Sequence, residues 1–162
     1  MKKIVRTLGI TLSLLVLISC DNGGDGEDNS LPEVNPNTLA GTYKVSIAMV
    51  DTAVNSNNDG FSSQDLLLEG YNACGFDDGI EITEKTFSII RKGASCKADE
   101  KNEVYDYTYD STTKDLNLYL NGKLVETLKK AYIANNNNVK ELMYDRYDSV
   151  LKQTIYLKLT KV

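Results

Sequence analysis

The chain has 162 residues, a formal charge of −5 and no histidine. An acidic balance without a basic run argues against contacts to nucleic-acid phosphates and against an electrostatic grip on anionic lipid headgroups. The missing imidazole removes Ser-His-Asp and Cys-His hydrolysis, histidine-ligated metals and histidine proton shuttles, so neither enzymatic activity nor a cofactor is expected.

At the N-terminus, Lys2, Lys3 and Arg6 precede an apolar run from Leu8 to Ile18 that ends in Leu17-Ile18-Ser19-Cys20. The run is about 11 residues long, too short to span a bilayer, which takes roughly 20. It reads as a secretory signal. Leu-Ile-Ser-Cys resembles the bacterial lipoprotein signal box, and the resemblance implies cleavage before Cys20 and acylation of that cysteine. Membrane attachment would then rest on the acyl chains. Residues 1–19 are the expected signal peptide. The remaining 143 residues suffice for one domain with a core and hold 15 basic against 23 acidic residues, a charge of about −8.

With Cys20 used for lipid, Cys74 and Cys96 form an even pair in an oxidising compartment. A disulfide closing about 22 residues, worth about 3 kcal/mol, is favoured over two free buried thiols or half of a metal site. Residues 20–38 are rich in Gly, Asn and acid, with Pro32 and Pro36, and read as a flexible tether. Their acidic start resembles the export signal that carries some lipoproteins to the outer face of the cell. A periplasmic and a surface-exposed location at the outer membrane both stay open.

From Leu39 the pattern is mostly period two, the mark of half-buried strands. In 42–50, Tyr43, Val45, Ile47 and Met49 share one face. Segments 79–84 and 86–92 flank a tight turn at Glu84-Lys85. In 103–110, Tyr105, Tyr107 and Tyr109 alternate with Asp106, Thr108 and Asp110. In 115–121, Leu116, Leu118 and Leu120 share a face. Asn121-Gly122 is a strong hairpin signal, because both central residues of that turn need positive φ. Strand 123–133 follows, the Asn135–Asn138 tract turns the chain into 139–147, and Asp148-Ser149 turns it into 151–161, where Ile155, Leu157 and Leu159 align.

The reading is all-β: a meander of about eight antiparallel strands closing into a barrel over 39–162, which removes exposed edges. Its interior can be filled by side chains or hold one small ligand. Residues 51–78 form an insertion after the first strand. Ser62 or Ser63 is expected to cap a short helix over Gln64–Glu69, with Asp65 in its first turn and a leucine of 66–68 buried against the barrel mouth.

Gly41-Thr-Tyr43, the Asn55–Gly60 loop, the Asp65-Leu66-Leu67 turn, a cysteine near acidic residues and a strand carrying Phe87 together resemble the lipocalin-like domains of secreted Bacteroidetes lipoproteins. The resemblance covers about residues 39–162; Tyr43 stands where lipocalins proper carry Trp. It implies a barrel fold, with binding of a small ligand as one role.

Inward tyrosines would give a cavity apolar walls and polar tips, suited to a small apolar or amphiphilic ligand. Tyrosine is also a common strand residue, and the stronger reading is that these fill a core or face water. The expected cavity draws on Tyr43, Val45, Ile47, Phe87, Ile89, Tyr105 and Tyr107. Asn55, Asn57, Asp59 and Gly60 copy the first half of a calcium loop, but Leu66 occupies the place of its final bidentate acid, so an Asx-rich turn is the stronger reading. Asp77 and Asp78 are adjacent and would point to opposite sides of a strand, unsuited to paired-carboxylate hydrolysis. Lys123, Lys129 and Lys130 read as a solvated face that also guards strand edges. The expected protein is a monomeric, lipid-anchored envelope binding module. The alternative is a protein-interaction module with a filled barrel.

Overall fold

The computed structural model describes residues 36–93, 97 and 100–162. The expected signal, Cys20, the tether up to residue 35, and Cys96 lie outside the described residues. Helix α1 (Pro36–Leu39) leads into β1 (Gly41–Val54), and β2 (Ser63–Asp65) and helix α2 (Ala73–Asp77) follow in the insertion. The remaining strands are β3 (Gly79–Ile82), β4 (Thr86–Ile90), β5 (Glu103–Asp110), β6 (Asp115–Leu120), β7 (Lys123–Asn136), β8 (Val139–Asp148) and β9 (Gln153–Lys161).

All neighbours pair antiparallel in the order β1-β3-β4-β5-β6-β7-β8-β9, and β9 pairs back on β1. Eight strands therefore close into a barrel, and β2 adds a short extra strand beside the far half of β1. The insertion, α2, residues 91–93 that follow β4, and the 121–122 and 149–152 turns gather at one end. The chain entry at α1, the 83–86 turn and the end of β9 gather at the other.

The turns follow from side chains that tolerate or stabilise left-handed backbone. Asn121 and Gly122 have φ of 53° and 75°, and Asn137 and Asn138 have 49° and 66°, so both two-residue hairpins take the turn that matches strand twist. Two other loops share one chemistry. Asp110 Oδ1 accepts from the amides of Thr112 and Thr113, and Lys114 follows at φ 61°. Asp148 Oδ1 accepts from Val150 and Leu151, and Lys152 follows at φ 56°.

The entry end is packed solid. Leu39, Tyr43, Leu116, Ala131, Leu142 and Leu159 are fully buried there, and the Tyr43 hydroxyl donates to the carbonyl of Leu39 at 2.8 Å, tying α1 across the opening. Period-two alternation carries inward residues up the other strands: Ile80 and Ile82, Leu116 and Leu118, Ile155, Leu157 and Leu159.

Strand β1 departs from the expected alternation. Val45 pairs with Leu159 but Ile47 pairs with Lys158, so Ser46 is an extra residue in the ladder. Its hydroxyl donates to the Lys158 carbonyl at 3.1 Å and accepts from Thr160 Oγ1 at 2.8 Å. Beyond this bulge the inward positions shift by one, and Ala48 and Val50 are buried while Ile47 and Met49 are only half-buried.

The insertion helix also sits elsewhere. Ser63–Asp65 pairs with β1 as β2, and Asp65 Oδ1 accepts from the Leu67 and Leu68 amides in a run of turns. Gly70 at φ 61° and Asn72 at φ 45° separate this run from the helix, which forms at Ala73–Asp77. Leu66 is fully buried, its amide bonded to the Ala48 carbonyl at 2.8 Å.

Candidate functional site

Below α2, at the end opposite α1, the barrel encloses a cavity of about 160 Å³. Its deeper wall is apolar: Val45, Ile80, Phe87, Ile89, Leu128 and Leu157, with Phe76 of α2 as part of the roof. Its upper wall is charged: Arg91, Glu103, Glu126 and Arg146 enter from the region after β4 and from β5, β7 and β8. Sequence spacing explains their inward aim. Each lies two residues from an inward apolar or aromatic neighbour (Ile89, Tyr105, Leu128 and Tyr144), so strand alternation carries it to the same face.

Arg91 anchors the upper wall. Its Nη1 lies 2.6 Å from Asp78 Oδ2 and its Nη2 lies 2.6 Å from Glu103 Oε1, with Glu100 3.9 Å from Nε. The Asp78 side chain has no exposed surface, so this ion pair is taken from water on the carboxylate side. Glu103 also accepts a hydrogen bond from Tyr105 Oη. Burial pushes the Glu103 carboxyl up. Hydrogen bonds from Arg91 and Tyr105, with the fields of Arg91 and Arg146, outweigh it and hold the group below its ordinary range. Burial, then the bond to Glu103, pushes the Tyr105 phenol up to about 12, so it keeps its proton and donates. Tyr144, fully enclosed, is pushed up by burial.

A depressed carboxyl contributes stability that is complete above its unfolded pKa and disappears as pH falls through the folded value. The melting temperature should therefore begin to fall below about pH 5. Glu103→Gln should fall less steeply over the same range, as read by calorimetry from pH 7 to 3. Asp110, lowered by the Thr112 and Thr113 amides, acts with the same sign at the opposite end.

Of the residues expected to form a cavity, Val45, Phe87, Ile89 and Tyr105 line this one. Tyr43 and Tyr107 face inward but belong to the filled half, with the Tyr107 hydroxyl bonded to the Thr83 carbonyl at 2.9 Å. Ile47 is carried off the inner face by the Ser46 bulge. Asn57 Oδ1 accepts from the Asp59 amide and Asp59 Oδ1 from the Phe61 amide, so these oxygens hold an Asx turn together. Among the described residues no cluster of three or more His, Cys, Asp or Glu side chains is placed to hold a metal ion. Lys123, Lys129 and Lys130 are exposed, and Lys130 pairs with Asp145 at 2.8 Å.

The roof is fixed from two sides. Tyr71, just before α2, donates to Asp148 Oδ2 at 3.0 Å, and its ring lies 6.5 Å from that of Phe76. After β4 the chain passes against α2 so closely that a methyl group on Gly93 would sit 2.8 Å from the Asp77 main-chain carbonyl carbon. Gly93→Ala should destabilise the protein by about 1–3 kcal/mol through this overpacking, measurable as a lower urea midpoint. Cys74 lies on α2, and its Sγ is 3.3 Å from Glu100 Oε2, at the end of the segment that carries Cys96.

No family model, curated protein or solved structure matches this chain.

Proposed function

We propose that this protein is a binding module of the bacterial cell envelope that holds a small amphiphilic molecule in the barrel beneath α2. The observation that supports this is one cavity with two walls of opposite character, apolar below and charged above. The proposal includes acylation at Cys20, an outer-membrane location, a lipocalin-like relationship and a Cys74–Cys96 disulfide that pins α2 to the 91–102 connection. The proximity of Cys74 to Glu100 supports the last of these.

The test is a melting-temperature series on the full chain with hexanol, hexanoate and hexylamine at about 10 mM, because a ligand that binds only the folded state raises its stability. A rise with at least one of them, abolished by filling the cavity through Val45→Phe, is the expected result. No rise with any of the three would overturn the reading. Intact mass of protein from the membrane fraction, with and without reductant, tests the acyl chains and the disulfide.

A second reading, a surface for protein partners, is favoured by Phe61, Leu68 and Val150, which leave about three quarters of their surface exposed at the cavity end. It predicts that Phe61→Ser with Leu68→Ser abolishes capture of a partner while leaving the melting series unchanged.

A further inference from the structure

The two arginines of the cavity are not equivalent. Arg91 donates hydrogen bonds to Asp78 and Glu103 and lies near Glu100, so its fork is engaged on three carboxylates. Arg146 makes one ion pair, Nε to Glu126 Oε1 at 2.6 Å, and among the described residues its guanidinium donates no further hydrogen bond to a side chain or carbonyl. The acids divide the same way. Glu103 is held by Arg91 and Tyr105, whereas Glu126 has the one contact with Arg146. Both members of this second pair keep solvent access, 43% for Arg146 and 28% for Glu126, and both line the cavity.

An arginine and a glutamate side by side, each with bonding capacity in reserve, complement a ligand that carries the same two charges reversed. A lone anion placed on Arg146 would lie beside the Glu126 carboxylate, and a lone cation on Glu126 would lie beside the guanidinium. A zwitterion satisfies both and exchanges one ion pair for two charge-assisted contacts. The volume sets the size. A cavity of about 160 Å³ is small for a ligand pocket and restricts the occupant to a small molecule. The apolar wall requires a hydrocarbon body.

We propose that the Arg146–Glu126 pair selects a small zwitterion with a branched apolar body, the chemistry of a free aliphatic amino acid, with the carboxylate on Arg146, the ammonium on Glu126 and the side chain against Val45, Ile80 and Leu157. This rests on the binding-module reading above.

The experiment is calorimetric titration of the full chain with L-leucine, 4-methylpentanoate, isoamylamine and isoamyl alcohol, which share a body and differ in head. Leucine should bind at least about tenfold more tightly than either singly charged analogue. Arg146→Gln should reduce leucine affinity and raise that of isoamylamine, whose ammonium no longer lies beside a guanidinium, with Arg146→Lys retaining part of the leucine affinity. Glu126→Gln should reduce leucine to the level of 4-methylpentanoate. Equal affinity for leucine and isoamyl alcohol would overturn the zwitterion inference while keeping the cavity reading. Absence of binding by all four, together with a flat melting series, would overturn both.

Discussion

Replacing Arg91 with Met should destabilise the fold by roughly 3–5 kcal/mol, the largest effect expected from one charged position. The methionine keeps the apolar stem but removes the cation 2.6 Å from a carboxylate whose side chain has no exposed surface. Desolvating Asp78 is costly, and the attraction of Arg91 is a main term that offsets it. Glu103, with two fifths of its side chain exposed, can turn to water and should contribute little to the loss. The double variant Arg91→Met with Asp78→Asn should recover part of the stability, because the buried charge goes with its partner. Urea midpoints for the two single variants and the double variant form a cycle. A single variant within about 1 kcal/mol of the parent would show that Asp78 does not depend on Arg91.

Truncation of Tyr43 should be comparably severe, at about 3–5 kcal/mol for Tyr43→Ala. Its ring is fully buried in the filled half, and its hydroxyl holds the Leu39 carbonyl at 2.8 Å across the barrel end. Tyr43→Phe keeps the ring and loses the bond, for about 1 kcal/mol. Tyr105 supplies the contrast. It faces inward too, but toward the cavity, with its hydroxyl on Glu103. Tyr105→Ala leaves less unfilled volume than the same change in a packed core, so its cost should be clearly lower. Equal losses at the two positions would mean that the cavity end is as tightly packed as the entry end.

The strands were legible because each half-buried face leaves a period-two trace, and the two Asn-led hairpins were legible because few residues accept consecutive positive φ. The Ser46 bulge was not, since a serine in an alternating run looks like any outward residue until its hydroxyl is seen on β9. That one insertion moved Ile47 off the inner face and brought Ala48 onto it. The helix after β1 was placed too early because Ser63 and Asp65 have the composition of a cap. Here Asp65 caps a turn, while an edge strand claims both residues. The charged wall was missed for a different reason. Arg91, Glu103, Glu126 and Arg146 are far apart in the chain, and no local spacing joins them. A signal was present all the same: each occupies the inward phase of its strand, and Arg91 and Arg146 are the only arginines after Arg6.

The closure of the barrel by β1 and β9 also sets how the fold would answer to force. Both strands reach their chain ends on the same side, with Tyr43 opposite Lys161 and the Val162 amide on the Thr42 carbonyl at 2.9 Å. Tension applied between residues 36 and 162 would load this ladder from one end and open it like a zipper, one rung after another, rather than shearing all rungs together. The seam that completes the cylinder is thus its weakest direction under load, and a single-molecule pull through the two ends should find β1 and β9 parting first.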